Sequence, residues 1–300
     1  MGVVAGVVLL MFGLPIFVMV IIGLFNPLPI SRASLLDNFP RHSSLRIIAL
    51  TYAAQYVTWI FFKWFKFFDY YFLIWLDLGL LFVNVFLTYF FFQDSYHRRY
   101  NPKGVKKFEF TEIIKLIFTS RPLMMILFAF VFAESGFYLL LDYFEYVPKA
   151  ARYFSGASAA TLMGIGIAIL WSSIPHKSIV AVCYLLGAGV NLLVILNSLF
   201  FNADSDLSNL IAGMSTYALV GGLYLPMVVE MLIKLLGRDH KAVGASIAEF
   251  GDTIAAFVGP AINMVVAINA FSAAIILTVL YISAAITQRL AEKRFSMIKL

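Results

Sequence analysis

A carboxylic acid in the middle of a long apolar segment is the first residue in this sequence that suggests chemistry. Glu134 lies in the run Ala133-Glu-Ser-Gly-Phe-Tyr, so Tyr138 follows it after one helical turn. If the segment is a helix, Glu145 lies on the same face about 16 Å further along, with Tyr138 between the two acids. An acid inside an apolar span is costly unless it faces protein or water. Glu134 and Tyr138 therefore predict a proton or cation site in a water-filled path, whereas for Glu145 and Asp142 the sequence favours a position at the outer membrane interface.

A second pair of acids lies further along the chain. Glu249 and Asp252 are three residues apart, which places them on one face of a helix, and Arg238 and Lys241 precede them closely in sequence. Two neighbouring carboxylates repel each other unless they are paired or protonated. A gate in which these acids meet basic residues satisfies that requirement, and so does a charge cluster that only fixes the helix end. Both interpretations stay open.

The sequence contains no pattern typical of an enzyme, a cofactor site or a metal site. Cys183 is the only cysteine, which excludes an internal disulfide and a cysteine-rich metal site. None of the apolar segments contains an HxxxH, HExxH or DxxD pattern, and no GxSxG motif is present. The net charge of +6 comes from residues in short loops rather than from one soluble face. Binding to nucleic acid is therefore not predicted.

The elements that must position these residues are membrane-spanning helices. The chain is 62% hydrophobic and 13% charged, with a mean hydropathy of +0.92. A soluble domain is about 45–50% apolar and about 25% charged. We therefore predict an all-α, polytopic membrane protein surrounded by lipid, with about nine spans. The spans are predicted at residues 2–25, 46–66, 70–93, 122–144, 156–175, 178–200, 208–235, 242–265 and 268–288.

The basic residues divide unequally between the two faces that these spans define. One face collects 18 of the 22 Lys and Arg residues, and the other face holds the remaining four. Because Lys and Arg near span ends stay on the cytoplasmic side, the distribution places the C-terminus in the cytoplasm and the N-terminus outside. The organelle stays unassigned.

One connecting segment divides the chain. The polar linker 94–121 carries seven basic residues. Its second half, Phe108 to Phe118, has the apolar spacing of an amphipathic interfacial helix, and Pro122 opens the next span. The predicted division is a three-span group at 1–93, the linker, and a six-span group at 122–300.

Small residues and helix breakers supply the remaining pattern. The runs Gly156–Gly166 and Gly244–Gly251 place small side chains at four-residue spacing, which lets helices approach closely. Gly221-Gly222 and Pro226 are predicted to interrupt the seventh span, and Gly259-Pro260 to interrupt the eighth. Glu230 is predicted to form a helix-end pair with Lys234, four residues later.

The six-span group resembles the C-terminal half of a major facilitator superfamily transporter. The strongest local match is the segment Leu236–Ala261, with a basic turn, a small-residue stripe and a Gly-Pro near its far end, as in the cytoplasmic turn and eleventh helix of that superfamily. The linker resembles the one that joins the two six-helix halves, and Asp37–Arg46 resembles the turn between the fourth and fifth helices. The turn Trp171–Lys177 departs from the Gly- and Arg-rich pattern expected between the eighth and ninth helices.

The resemblance implies a secondary transporter of a small solute, working by alternating access and coupled to protons or cations. It maps the chain onto helices four to twelve and implies that the first three are absent. Glu134 and Tyr138 would then line the central cavity with Tyr217 and Tyr224. The alternative is a truncated, non-transporting paralogue that acts as a membrane subunit or scaffold, and a membrane-embedded lipid enzyme is a third hypothesis.

Overall fold

The described residues of the computed structural model are helical at all but a few single positions and contain no strand. They comprise residues 44–65, 70–91, 110–146, 154–171, 176–201, 212–213, 215–236, 241–266 and 270–295. The first predicted span, most of the basic linker and Arg238 lie outside these ranges. An all-α, polytopic helical architecture is therefore confirmed.

We number the long helices in chain order, counting as α7 a continuous segment with a π-helical section followed by an α-helical section. The helices are α1 Ser44–Phe65, α2 Tyr70–Phe91, α3 Phe110–Thr119, α4 Arg121–Tyr146, α5 Phe154–Leu170, α6 His176–Phe201, α7 with its π-helical Tyr217–Tyr224 and α-helical Leu225–Leu235, α8 Lys241–Val266 and α9 Ala270–Phe295.

The helix α3 lies in the segment where the sequence predicts an amphipathic helix, and it leads directly into α4. The Ser120 amide donates to the Leu116 carbonyl at 3.0 Å, and the Met124 amide donates to the Ser120 carbonyl at 2.9 Å. Ile117 of α3 is buried against the core, whereas Phe118 is exposed. Helical hydrogen bonding thus continues through the bend between the two helices.

Four segments of the described chain are long and apolar enough to cross a membrane. They are Arg121–Asp142, Ile179–Phe200, Ala218–Leu235 and Phe271–Lys293. The shorter segments Ser44–Ala54 and Gly156–Leu170 are also apolar. Large apolar side chains on α6 and α9, including Leu193 and Ile286, are exposed on the outside of the bundle. Such a surface fits a lipid solvent, which offers apolar side chains the contacts that water denies them.

The helix α7 lies at the centre of the bundle. Every residue from Val220 to Ile233 is buried. It packs against α1, α4, α5, α6 and α8, while α4 also packs against α8 and α9. A helix that is buried on all sides must satisfy its polar groups within the protein, so the polar side chains of α7 and α4 determine what the interior can bind.

The predicted interruption of the seventh span is confirmed by the π-helical section, which contains Gly221 and Gly222 and ends just before Pro226. The predicted interruption at Gly259-Pro260 is wrong, because α8 is continuous from Lys241 to Val266. Proline removes one backbone donor, and a membrane helix can continue past that loss. Gly259 serves another purpose: a Cβ there would lie 2.7 Å from the Ser135 carbonyl oxygen of α4.

A second close contact joins α5 to α7. A Cβ on Gly164 would lie 2.1 Å from the Ala218 carbonyl oxygen, and a Cβ on Gly222 would lie 2.3 Å from the Thr161 carbonyl oxygen. Both obstacles are backbone atoms, which cannot rotate away. The small-residue run that begins at Gly156 therefore does what its spacing predicts, since it brings two helices into backbone contact.

Gly164→Ala is expected to lower the unfolding temperature of the detergent-solubilised protein, because the added methyl group forces α5 and α7 apart at a cost of about 1–3 kcal/mol. Gly166→Ala is the matched control two residues away, where a Cβ meets no atom within 4 Å. Its unfolding temperature should stay constant or rise, as alanine favours a helix over glycine. Equal thermal shifts for both variants would contradict the assigned contact.

Candidate functional site

A fully buried acid of α4 meets a tyrosine of α7 at the centre of the bundle. The side chain of Glu134 is 1% exposed. The Tyr224 hydroxyl donates a hydrogen bond to Glu134 Oε1 at 3.0 Å. Tyr224 is the last residue of the π-helical section, so the section ends where α7 contacts the acid. Two residues singled out from the sequence are thus brought together.

Two further tyrosines from α6 and α9 surround this pair. The Tyr184 ring centroid lies 4.7 Å from that of Tyr224, with an angle of 58° between the ring planes. Tyr281 is fully buried and interacts electrostatically with Glu134. We call Glu134, Tyr184, Tyr224 and Tyr281 the tyrosine–glutamate cluster. It draws on four helices, α4, α6, α7 and α9.

A second acid approaches the cluster from α8. The Tyr138 hydroxyl lies 3.1 Å from each carboxylate oxygen of Asp252, to which it donates. Tyr138 is one turn from Glu134 on α4, and the two carboxylates of Glu134 and Asp252 repel each other electrostatically. Tyr52 of α1 also interacts electrostatically with Tyr138. Asp252 is only partly buried, so it stands between the buried cluster and the surroundings.

The cluster holds an acid without a basic counterpart in the described part of the chain. Within the described ranges, no Lys, Arg or His forms an ion pair with Glu134. The ion pairs of Lys234 with Glu230 and of Arg289 with Glu292 lie near helix ends, away from Glu134. A buried carboxylate without a cationic partner is costly. Binding a proton or another cation removes that cost.

Buried hydroxyl groups without a hydrogen-bond partner lie near this acid. In the part of the chain that the structure describes, the Tyr281 hydroxyl and the Ser135 hydroxyl are buried and have no hydrogen-bond partner. The Tyr281 hydroxyl lies 3.2 Å from the position that a Cβ on Gly136 would take, which puts it beside α4. A buried hydroxyl without a partner costs about 1–3 kcal/mol. The site therefore retains capacity for one more hydrogen-bonding group.

A separate polar contact links α1 to the far end of α7. The Lys234 ammonium lies 3.0 Å from Glu230 Oε1, which confirms the predicted helix-end pair. The Ser44 hydroxyl, at the start of α1, donates to the same oxygen. Glu230 is buried, while the Lys234 side chain is 59% exposed. The acid thus joins two helices as well as pairing within its own.

The remaining predicted site residues are placed as follows. Asp252 meets Tyr138, as described, and Glu249 is half-buried one turn earlier on α8. Asp142 accepts a hydrogen bond from the Asn263 amide of α8. The side chains of Tyr217 and Lys241 and the whole of Arg238 lie outside what the structure describes. The gate that would join Arg238 and Lys241 to the two acids therefore stays a prediction.

Sequence reasoning missed Tyr184 and Tyr281. Both lie inside their apolar spans rather than at the ends, whereas tyrosine in membrane proteins concentrates at the two interfaces. A tyrosine inside a span needs a partner for its hydroxyl. Its position in the apolar segment is therefore the feature from which these two site residues could be predicted. Within the described residues, no group of three or more His, Cys, Asp or Glu side chains is arranged to hold a metal ion.

The fold is similar to that of a protein of known structure. No family model matches the sequence, and no curated protein matches it. Among solved structures, the chain is similar to the crystal structure of a major facilitator superfamily transporter, FucP, in the outward conformation, with a TM-score of 0.63 and 15% sequence identity. The match covers 97% of this chain and 79% of that chain. The chain therefore has a major-facilitator-like fold and is an integral, multi-pass membrane protein.

Proposed function

We propose that this protein is a secondary active transporter that moves a small solute across a membrane by alternating access. The observation that carries the proposal is the buried carboxyl of Glu134, which accepts a hydrogen bond from Tyr224 where α4 meets the π-helical section of α7 and has no ion pair within the described residues. Ionisable groups at this depth mark solute and ion paths in membrane proteins. A proton or a cation bound at Glu134 would couple its own gradient to the movement of the solute.

The arrangement of helices supports this proposal. In our interpretation, residues 1–93 and 122–300 form two bundles joined by the basic linker 94–121, with the C-terminus in the cytoplasm. The α1–α5 packing and the Ser44–Glu230 contact join the two bundles. A rocking motion of the bundles would break such contacts on one side of the membrane and expose Glu134 from that side. The fold is similar to that of a transporter, and the described residues show no catalytic constellation, so our proposal includes no enzymatic activity.

The alternative function is a non-transporting membrane subunit or scaffold. It shares the fold and the lipid-facing surface with a transporter, but it needs no change in the access to Glu134. The two functions therefore differ in one physical property, which is whether the interior is reached from both sides of the membrane. That property can be measured before any solute is known.

The test uses a single cysteine placed at Tyr138, beside the buried acids. Cys183, the chain's only cysteine and a buried one, is first replaced by Ser. Tyr138→Cys protein is then reconstituted into vesicles and labelled with a membrane-impermeant maleimide added from either side. Alternating access predicts labelling of every molecule from either side, because each molecule exposes this position to both compartments in turn.

Lys234→Cys is the matched control, since this exposed position at a helix end faces one side permanently. Its labelling gives the fraction of molecules that face each way in the vesicles. If Tyr138→Cys is labelled from each side only in proportion to that fraction, the interior opens to one side alone. That outcome would contradict the transport proposal and favour the scaffold.

A further inference from the structure

The tyrosine–glutamate cluster has the chemistry of a site for an organic cation. Its one ionisable acid is buried, and Asp252 adds a second negative group nearby. No described basic side chain forms an ion pair with Glu134, so an anionic solute would meet repulsion without a counter-charge. A buried acid without a basic counterpart therefore favours a cationic ligand over an anionic one.

The walls of the cluster favour an organic cation over an inorganic one. The Tyr184 and Tyr224 rings pack on each other with their centroids 4.7 Å apart, and the Phe130 ring centroid lies 6.3 Å from that of Tyr224. Aromatic faces attract ammonium groups within about 6 Å of the ring centre, and cages of such rings bind quaternary ammonium ligands. A metal ion would instead require several oxygen ligands. The described cluster offers carboxylate and aromatic surface together.

The unpaired hydroxyl of Tyr281 adds an independent indication of a ligand. It is fully buried, has no partner within the described ranges and interacts electrostatically with Glu134. A proton on Glu134 would neutralise the acid, but it would leave this hydroxyl unsatisfied. A ligand with a hydroxyl group near its cationic end supplies both missing partners.

We propose that the solute is a substituted ammonium compound carrying a hydroxyl group, bound through its charge to Glu134, through cation–π contacts to Tyr184 and Tyr224, and through its hydroxyl to Tyr281. This inference rests on the proposed function, because the α4–α7 contact must open for the ligand to enter. Asp252, on the partly exposed side, attracts the cation towards the buried site. The site distinguishes its ligand from a neutral molecule of the same shape by charge alone.

The experiment measures binding to the purified full-length protein with choline as the probe. Choline carries a quaternary ammonium and a hydroxyl, and 3,3-dimethyl-1-butanol is its uncharged isostere. Choline is expected to bind at least roughly 30-fold more tightly than the isostere, and Glu134→Gln should remove that preference. Tyr281→Phe should weaken choline binding about 3- to 10-fold. Since Tyr281→Phe deletes an unpaired hydroxyl, its unfolding temperature in the absence of ligand should not fall.

Each outcome bears on the inference. No binding of choline, equal binding of choline and its isostere, or unchanged binding by Glu134→Gln would overturn the ligand class. Tyr281→Phe with wild-type affinity would overturn the role of the hydroxyl. The cysteine-labelling test separates these results from the transport proposal. Labelling of Tyr138→Cys from both sides, without choline binding, leaves transport intact and refutes the ligand class. Choline binding that depends on Glu134, without labelling from both sides, supports the ligand class and refutes transport.

Discussion

Glu134→Gln is expected to lower the uptake of radiolabelled choline into reconstituted vesicles by about 100-fold or more. Glutamine keeps the volume of the side chain and retains an oxygen that can accept the hydrogen bond from Tyr224. It removes only the charge. Loss of one partner from a buried charge pair costs about 3–5 kcal/mol, which corresponds to at least about 100-fold in affinity. Expression and unfolding temperature should stay close to those of the wild-type protein.

Asp142→Asn is the control for this variant, because Asp142 lies two helical turns from Glu134 on the same helix and pairs with Asn263 rather than with the cluster. Its uptake should remain within a few-fold of the wild-type value. If Glu134→Gln transports choline at the wild-type rate, the acid does not bind the solute. If both variants lose uptake equally, the loss reflects the α4 helix rather than the charge at its centre.

Asp252→Asn is expected to weaken choline binding and uptake about 10-fold. The effect is smaller than that of Glu134→Gln because Asp252 is only partly buried, and solvent reduces its interaction with a cation at the cluster. Asparagine still accepts a hydrogen bond from Tyr138 through its amide oxygen, so the α4–α8 contact should persist. The measurement is the choline dissociation constant, with the initial rate of uptake determined in parallel.

Glu249→Gln distinguishes this role from that of a gate. Glu249 lies one turn from Asp252 on α8 and is likewise half-buried. If both acids form a gate with Arg238 and Lys241, the two variants should change the uptake rate alike and leave the dissociation constant unchanged. If Asp252 attracts the cation, only Asp252→Asn should alter the dissociation constant. When Asp252→Asn is combined with Glu134→Gln, the loss of choline affinity should be less than the sum of the two single losses, because the two acids act on one ligand.

The sequence predicts the part of the site in which the polarity of a single residue differs from that of its apolar neighbours. Glu134 is conspicuous because an acid is rare in an apolar span, and that rarity has a physical cause in the cost of burial. Tyr184 and Tyr281 are less conspicuous, since a tyrosine in an apolar segment also reads as ordinary core. Which mid-span tyrosines meet depends on how α6, α7 and α9 rotate against each other, and local spacing within one helix does not contain that information.

The two predicted helix interruptions also show that local sequence and tertiary packing contribute separately. Gly221-Gly222 with Pro226 and Gly259-Pro260 look alike in the sequence, yet only the first pair accompanies a departure from α-helical geometry. Around Gly222, the backbone of α5 lies so close that α7 has no room for a side chain. Around Gly259, α4 approaches in a similar way, but the α-helix continues. Local propensity marks where a helix can deviate, while the neighbouring helix decides whether it does.

The π-helical section of α7 affects how the helix can rotate next to Glu134. A π-helical section accommodates extra residues within an α-helix, and each residue taken up or released rotates the chain beyond it by about 100°. Tyr224 stands at the end of that section, with its hydroxyl on Glu134. Conversion of this section to α-helix would rotate Tyr224, together with the part of α7 beyond it, relative to Glu134 and would break their hydrogen bond. The hydrogen bond between Tyr224 and Glu134 therefore depends on the helical geometry of this section.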